Sequence, residues 1–283
     1  MTERALPRGR IEANGITFAV ADQGEGPPVV LLHGFPDSAD LWRHQVPVLV
    51  EAGYRVIAPD LRGFGETDRP EGVSAYAIPV VLDDMRSLFA ALGLSGERIR
   101  LVTHDWGAVV GWLLAAANPE IVDRLVALSV GYPSKRPTLE ELEKYWYVFL
   151  WQLEGTAERV IQRSDWRLMR EWLREDRPGR SPDLERSLAD LARPGALTAG
   201  LNWYRAFAQP EVLLEDELPL PLVECPVLAV WGEHDILPEA RVAESSENVT
   251  GPWRYERLEG VGHWIPIEAP ERLNPLLLEF LAG

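Results

Sequence analysis

A short polar turn between an apolar run and an apolar helix holds the residues that are best suited to covalent chemistry. In residues 101–110 (LVTHDWGAVV), the turn is centred on Asp105, with Thr103 before it and Gly107 and Ala108 after it. A nucleophile at the apex of a sharp strand–turn–helix connection needs small neighbours, because the backbone there is strained. Asp105 occupies the position at which a G-x-S-x-G elbow carries serine. A carboxylate can attack carbon and form an ester, so the spacing predicts nucleophilic catalysis.

An ester on Asp105 turns over only if a base activates water and an acid orients that base. Of the five histidines, His263 is the candidate base, since it follows a late apolar strand in a turn rich in glycine. The acid should lie between the nucleophile and the histidine in the chain, at the carboxyl end of a strand. Asp235 comes directly after the apolar run 227–230 and meets both conditions, and Glu233 is the alternative.

Two backbone amides are predicted to hold the negative charge that develops during hydrolysis of the ester. One amide belongs to Trp106, the residue after the nucleophile, and the other to Phe35 in the turn His33-Gly34-Phe35-Pro36. Pro36 allows a cis peptide bond, which would turn the Phe35 N–H toward the site. These two amides form the predicted oxyanion hole.

The rest of the chain supplies elements that would bring these residues to one edge of a sheet. Eight strand-like runs are present, at 11–13, 16–20, 29–32, 55–58, 99–103, 125–130, 227–231 and 253–258. Asn14-Gly15 predicts a hairpin between the first two, and most later runs are continuously apolar, as in strands buried on both faces. Helices are predicted between them at 40–52, 78–92, 106–117, 238–247 and 270–281. This alternation predicts an α/β fold with a mostly parallel, doubly wound, eight-stranded sheet.

The pattern changes between residues 133 and 217, where only helical stretches are found. Helices are predicted there at 139–153, 156–163, 165–175, 182–191 and 196–207. We therefore predict a core domain of residues 1–132 and 218–283, with an inserted helical cap of residues 133–217 and a proline-containing linker at 218–221. Five of the 11 tryptophans fall in the cap, which suits a compact core or an aromatic ceiling over a pocket. We assign the pocket to five aromatic residues, Phe35, Trp106, Trp146, Trp151 and Trp264.

Charge and cysteine content restrict the classes of partner. The formal net charge of -16 opposes binding to nucleic acid or to an anionic membrane surface. Cys225 is the only cysteine, so no intramolecular disulfide and no thiolate metal cluster can form. The first ten residues have no apolar signal segment, and no apolar run is long enough to span a membrane. We expect a soluble cytoplasmic protein, a monomer or homodimer, that acts on a small molecule without cofactor or metal.

These residues together resemble the epoxide hydrolase branch of the α/β-hydrolase superfamily. The turn 33–36 is similar to that branch's H-G-x-P motif, and residues 103–108 are similar to its nucleophile elbow. Asp235 and the run 262–264 match its acid and histidine loops. The resemblance extends over nearly the whole chain and implies the α/β-hydrolase fold. Thr103 stands where the family usually has glycine, and it keeps a small residue there.

The resemblance also implies two cap tyrosines whose hydroxyls hydrogen-bond the epoxide oxygen. Tyr204 matches the second of them, in Leu201-Asn202-Trp203-Tyr204-Arg205. Tyr147 is our choice for the first, with Tyr145 as the alternative. The implied reaction opens an apolar epoxide to a vicinal diol through an alkyl ester on Asp105, which water activated by His263 then hydrolyses.

Two other functions remain open. Haloalkane and haloacid dehalogenases share the aspartate elbow, and the Trp106 indole N–H would hold halide in a haloalkane dehalogenase. Such enzymes usually carry a second, polar halide donor where this chain has Phe35, and fluoroacetate-type enzymes carry arginines where it has Trp106 and Val109. A non-catalytic ligand receptor is the second alternative, and the intact set of nucleophile, acid and histidine disfavours it.

Overall fold

One sheet of eight strands organises the chain. The computed structural model describes residues 5–133, 137–173, 181–207, 209 and 220–283. The strands are β1 Gly9–Ala13, β2 Ile16–Gln23, β3 Pro28–Leu32, β4 Arg55–Pro59, β5 Ile99–His104, β6 Val122–Leu128, β7 Val227–Gly232 and β8 Trp253–Leu258. They lie in the order β1-β2-β4-β3-β5-β6-β7-β8. The predicted eight-stranded sheet is confirmed.

Turn chemistry and burial explain the two kinds of pairing in the sheet. Asn14 and Gly15 both have positive φ, at 48° and 73°, and join β1 to β2 as an antiparallel hairpin. β2 pairs with β4 in antiparallel orientation, and every later pairing is parallel. All residues of β3 and β7 are buried, as expected for strands covered on both faces. Full burial of each large apolar side chain in them contributes roughly 1.5–3 kcal/mol.

In the described residues, six α-helices lie outside the stretch between β6 and β7. They are α1 Val46–Glu51, α2 Ile78–Ala91, α3 Trp106–Ala117, α9 Glu239–Glu244, α10 Ile265–Glu268 and α11 Pro270–Ala282. α3 packs on β3, β5 and β6, while α1 packs on β4 and α9 on β7. In the part of the chain that the structure describes, no helix is both long and apolar enough to span a membrane.

The chain changes direction across the sheet at β3, and this fixes the place of the site. After β3 the chain forms β4 on one side, then crosses to β5 on the other side of β3. In open α/β sheets, a crevice forms at the carboxyl ends of the strands where the winding reverses. Phe35 follows β3 and Asp105 follows β5, so the two residues face this crevice from neighbouring strands.

Apart from an isolated bridge of Val223 to Val249, the regular elements described between β6 and β7 are all helices. These are α4 Leu139–Lys144, α5 Trp146–Trp151, α6 Thr156–Trp172, α7 Pro182–Leu191 and α8 Ala196–Phe207. Their buried apolar residues join those of the sheet in one continuous cluster. The predicted boundary between residues 217 and 218 and the first half of the predicted linker lie outside the described residues. The division into core and cap therefore stays a prediction.

Several predicted helices are broken where the sequence pattern looked continuous. The helix predicted at 40–52 is not continuous: a 3₁₀ turn, Ala39–Trp42, precedes α1, whose first turn carries Pro47. Proline lacks the N–H that would continue a helix across this point. The helix predicted at 139–153 divides at Tyr145 into α4 and α5. α6 contains non-helical backbone from Arg163 to Trp166, which fits the two helices predicted there, although residues 174 and 175 lie outside the described chain.

Candidate active site

Asp105 stands at the apex of a sharp turn between β5 and α3. Its φ of 51° lies in a region that non-glycine residues rarely adopt. A Cβ on Gly107 would lie 2.2 Å from the Leu32 carbonyl oxygen, so only glycine lets α3 begin this close to β3. A Cβ on Gly34 would lie 2.1 Å from Asp105 Oδ1, so glycine is also needed beside the carboxylate. The small residues around the turn thus bring the carboxylate and the turn after β3 together.

The two oxygens of Asp105 have different surroundings. Oδ1 accepts a hydrogen bond from the Phe35 N–H at 2.7 Å, and the Phe35–Pro36 peptide bond is cis. Oδ2 lies 3.7 Å from His263 Nε2, beyond ordinary hydrogen-bond distance. Burial raises the pKa of Asp105, but the positive charge of His263 and the Trp106 backbone N–H outweigh it, and the net pKa is lowered. The carboxylate is therefore ionised, with Oδ1 held by backbone and Oδ2 left for reaction.

His263 is held by Asp235 in the manner expected of an oriented base. His263 Nδ1 and Asp235 Oδ1 are 2.8 Å apart, and both side chains are buried. Asp235 Oδ1 also accepts the Leu237 N–H at 2.8 Å, which fixes the carboxylate at the end of β7. Burial lowers the pKa of His263, but the charges of Asp235 and Asp105 outweigh it and raise this pKa well above the ordinary value.

Glu233, the alternative acid, is turned away from the histidine. Its carboxylate accepts a hydrogen bond from Arg257 and another from the Gly260 N–H, each at 2.9 Å, and its side chain is one-third exposed. The geometry brings Asp235, and not Glu233, to His263.

Two tyrosines from the helical stretch lie over the nucleophile. Tyr204 on α8 packs edge-on against the rings of Phe35 and Trp106, with centroid distances of 5.7 and 4.8 Å. Tyr147 on α5 lies 6.2 Å from Tyr204, ring to ring. Burial, together with the charge of Asp105, raises the pKa of both hydroxyls well above the ordinary value. Both therefore remain protonated and able to donate.

Tyr145 has a different environment from Tyr147. Burial and the carboxylate of Glu141 raise the pKa of Tyr145, and Arg241 opposes them. Glu141 and Arg241 form an ion pair between α4 and α9, with Arg241 Nη2 2.8 Å from Glu141 Oε2. The ring of Tyr147 contacts that of Tyr204, and the charge of Asp105 acts on its hydroxyl, so the arrangement favours Tyr147 as the first tyrosine.

The five aromatic residues assigned to the pocket do not all reach it. Trp151 lies against Phe35 at 5.1 Å between ring centroids. Trp146 is 43 % exposed and packs on Tyr147 from outside, because neighbouring residues of a helix point in different directions. Trp264 is fully buried and lies edge-on to His263 at 4.9 Å, so it supports the base. The structure thus brings three of the five together, namely Phe35, Trp106 and Trp151.

The loop that carries His263 is held by two residues that the sequence analysis did not identify, Asp37 and Glu268. The Trp264 indole N–H donates to Asp37 Oδ2 at 2.7 Å. The carboxylate of Glu268 accepts the Gly262 N–H at 2.7 Å and the Trp264 N–H at 2.8 Å. Glu268 ends α10, a helix of four residues that is too short for a periodic pattern to reveal. The only indication of this contact in the sequence is an acidic residue five positions after His263.

The chain resembles known proteins over most of its length. The model of the family described as alpha/beta hydrolase fold matches residues 27–270. The chain is 35 % identical to a protein of the AB hydrolase superfamily from Bacillus subtilis and 33 % identical to epoxide hydrolase A of Mycobacterium tuberculosis, with 96 % of each chain covered in both cases. A crystal structure of an epoxide hydrolase from Vigna radiata superposes with a TM-score of 0.83, at 31 % identity and 97 % coverage of both chains.

Proposed function

This chain is a hydrolase of the α/β-hydrolase superfamily and belongs to its epoxide hydrolase branch, and we propose that it opens an apolar epoxide to a vicinal diol through an alkyl ester on Asp105. The unequal environment of the two Asp105 oxygens carries the proposal. Oδ1 is held by the Phe35 amide at 2.7 Å, whereas Oδ2 lies 3.7 Å from His263 Nε2. One oxygen is thus fixed as the future carbonyl oxygen of an ester, and the other is the attacking atom.

In the first step, Asp105 Oδ2 attacks an epoxide carbon and the carbon–oxygen bond of the ring breaks. The electron pair of that bond moves to the oxygen, which accepts hydrogen bonds from the hydroxyls of Tyr147 and Tyr204 and takes a proton from one of them. Both hydroxyls are suited to this role because their raised pKa values keep them protonated. The aromatic rings around them exclude water and favour an apolar substrate.

Formation of the ester changes the protonation of the base. The carboxylate of Asp105 is one of the two charges that raise the pKa of His263, and esterification removes it. His263 then releases its proton more readily, and that proton replaces the one that the tyrosines gave to the alkoxide. The neutral imidazole, still oriented by Asp235, is ready to act as a base.

In the second step, His263 takes a proton from water and the hydroxide attacks the carbonyl carbon of the ester. The negative charge that develops on Asp105 Oδ1 is held by the Phe35 and Trp106 amides. Collapse of this intermediate breaks the bond between the carbonyl carbon and Oδ2. Oδ2 leaves as part of the diol, which takes the remaining proton of the water, and the water oxygen stays in the Asp105 carboxylate. The products are the diol, ionised Asp105 and protonated His263, and one water is consumed.

A dehalogenase remains the alternative because one halide donor is available. The Trp106 indole N–H is buried, has no hydrogen-bond partner at ordinary geometry in the described part of the chain, and acts on the hydroxyl of Tyr204. A second polar donor would be expected in the turn after β3, where the side chain is that of Phe35. Two buried hydroxyls over the nucleophile suit an epoxide oxygen better than a halide.

Trapping the ester tests the proposal. His263→Gln is treated with styrene oxide or with a haloalkane, and the peptide that contains Asp105 is analysed by mass spectrometry, with Asp105→Ala as the control. We expect an adduct from styrene oxide that persists in His263→Gln and is absent in Asp105→Ala. An adduct from the haloalkane alone, together with halide release by the unmutated enzyme, would establish a dehalogenase. Tight ligand binding without any adduct would instead indicate a receptor.

A further inference from the structure

The main chain of the catalytic histidine is held by two side chains that the mechanism does not use. The carbonyl oxygen of His263 accepts hydrogen bonds from His104 Nε2 and from Ser129 Oγ, each at 2.9 Å. All three residues are buried, and the two donors come from the ends of neighbouring strands, β5 and β6. A carbonyl can only accept, so His104 carries its hydrogen on Nε2. We call this pair of donors the carbonyl clamp.

Ser129 adopts a backbone conformation that has to be maintained by its surroundings. Its φ is 69°, a value that glycine adopts easily and serine rarely does. Its N–H donates to the Val230 carbonyl at 2.9 Å and so extends the pairing of β6 with β7. Strained residues of this kind persist where neighbouring structure determines them, and they concentrate at functional sites. Here the turn directs the hydroxyl of Ser129 to the carbonyl of His263.

His104 contributes a donor without adding charge beside the base. Its ring lies 4.7 Å from the ring of His263, centroid to centroid. Burial, and then the neighbouring His263, lower the pKa of His104 to about 4, so the ring is neutral near neutral pH. A neutral ring avoids repulsion with the protonated form of His263. His104 also directly precedes Asp105, so the clamp links the base to the strand that carries the nucleophile.

We propose that His104 and Ser129 are positioning residues that hold His263 in place for hydrolysis of the alkyl ester. This inference rests on the proposed function. The clamp serves the second step in particular, because the first step uses Asp105 Oδ2, the Phe35 amide and the cap hydroxyls. Ser129 gives the cleaner test, since it is not adjacent to Asp105 in the chain.

The test compares Ser129→Ala and Ser129→Gly by rapid quenching and mass spectrometry of the Asp105 peptide. Ser129→Gly removes the hydroxyl and also relieves the positive φ, so it folds even if the alanine variant does not. In both variants we expect hydrolysis of the ester to slow by ~10-fold, while its formation stays within about two-fold. Because the ester then accumulates, kcat and KM fall together and kcat/KM is unchanged.

Ser245→Ala is the matched control. Ser245 is also buried, and its hydroxyl donates to a backbone carbonyl, that of Arg241, at 2.7 Å. We expect it to leave both steps at the unmutated rates. For the other donor, His104→Gln keeps an N–H and should slow hydrolysis less than His104→Ala does.

The other possible outcomes contradict either the role of the carbonyl clamp or the proposed function. If the ester forms and decays at unmutated rates in both Ser129 variants, the clamp has no positioning role. If formation and hydrolysis slow equally, or if Ser245→Ala shows the same pattern, the effect of Ser129 is one of general stability. If no ester forms in any variant or in the unmutated enzyme, the proposed function itself fails.

Discussion

The edge of the sheet and the helical stretch above it position their functional side chains by different physical means. At the edge of the sheet, backbone amides fix the carboxylates: Phe35 N–H holds Asp105, and Leu237 N–H holds Asp235. In the helical stretch, ring packing fixes the hydroxyls. Trp151 contacts Tyr147 and Tyr204 with centroid distances of 4.8 and 4.4 Å.

The difference indicates which part of the reaction each region controls. A hydrogen bond to a charged group is short and directional, so it fixes the position of a reacting atom closely. Contacts between aromatic rings tolerate a wider range of distances and angles. The edge of the sheet is therefore suited to the bond-forming chemistry, which needs constant geometry, and the helical stretch is suited to adapting to the substrate.

Removal of the Tyr147 and Tyr204 hydroxyls should have the largest effect on ester formation. In Tyr204→Phe and Tyr147→Phe, the rings that pack against Trp151 are kept and only the proton donors are lost. We expect formation of the ester to slow by ~10²- to 10⁴-fold, the range typical of positioned acid catalysis. Hydrolysis of the ester, which depends on His263, should stay within about three-fold. Single-turnover measurement of both steps checks this.

Tyr145→Phe is the control for that experiment. Its hydroxyl lies under the influence of Glu141 and Arg241, so ester formation should be nearly unchanged. A large loss in Tyr145→Phe with normal activity in Tyr147→Phe would exchange the two assignments. Equal slowing of both steps in Tyr204→Phe would contradict the separation of roles between the two regions.

The edge of the sheet could be predicted from the sequence, because tight turns restrict residue type. Asp105, Asp235 and His263 each lie in a turn after a strand. The turn at Asp105 requires small residues, and the three residues occur in the expected order along the chain. The structure brings all three together as expected. Tyr147 was harder to distinguish, because helix packing depends on which face of a broken helix is buried. The predicted helix breaks at Tyr145, and no proline or glycine in the sequence indicates a break there.

The close approach of Gly34 to Asp105 allows a second test of how strictly the edge of the sheet fixes the nucleophile. In Gly34→Ala, the new Cβ would lie 2.1 Å from Asp105 Oδ1 and 2.5 Å from Asp105 Cβ, so the nucleophile has to move. We expect kcat/KM to fall by ~10²-fold, because misplacement by about 1 Å can cost that much. Steady-state kinetics together with circular dichroism would separate misplacement from unfolding.

Gly9→Ala is the matched control for this substitution. A Cβ on Gly9 would meet its nearest neighbour at 4.0 Å, an ordinary contact. Its activity should equal that of the unmutated enzyme. Unchanged activity in Gly34→Ala as well would mean that the edge of the sheet tolerates displacement as the helical stretch does.

The carbonyl clamp, unlike the nucleophile, acid and histidine, could not be predicted from the sequence. Ser129 and His263 are 134 residues apart, and nothing in the local pattern around a serine predicts a bond to a distant carbonyl. The positive φ of Ser129 is equally hidden, since asparagine or glycine would be expected at such a position. Contacts of this kind depend on the register of β6 against β7, which only the folded sheet defines.

The smallest effect is expected at Glu233, which lies two residues from the proposed acid. In Glu233→Gln, the ion pair with Arg257 is lost at a partly exposed site, and the amide can still accept the Gly260 N–H. Exposed ion pairs contribute little to stability, and His263 keeps its partner Asp235. Activity should therefore stay within about two-fold, whereas Asp235→Asn should slow ester hydrolysis strongly, because the oriented imidazole loses its carboxylate. Equal slowing of hydrolysis in Glu233→Gln and Asp235→Asn would contradict this. It would mean that the whole loop after β7, and not the directional hydrogen bond from Asp235 to His263, determines the rate.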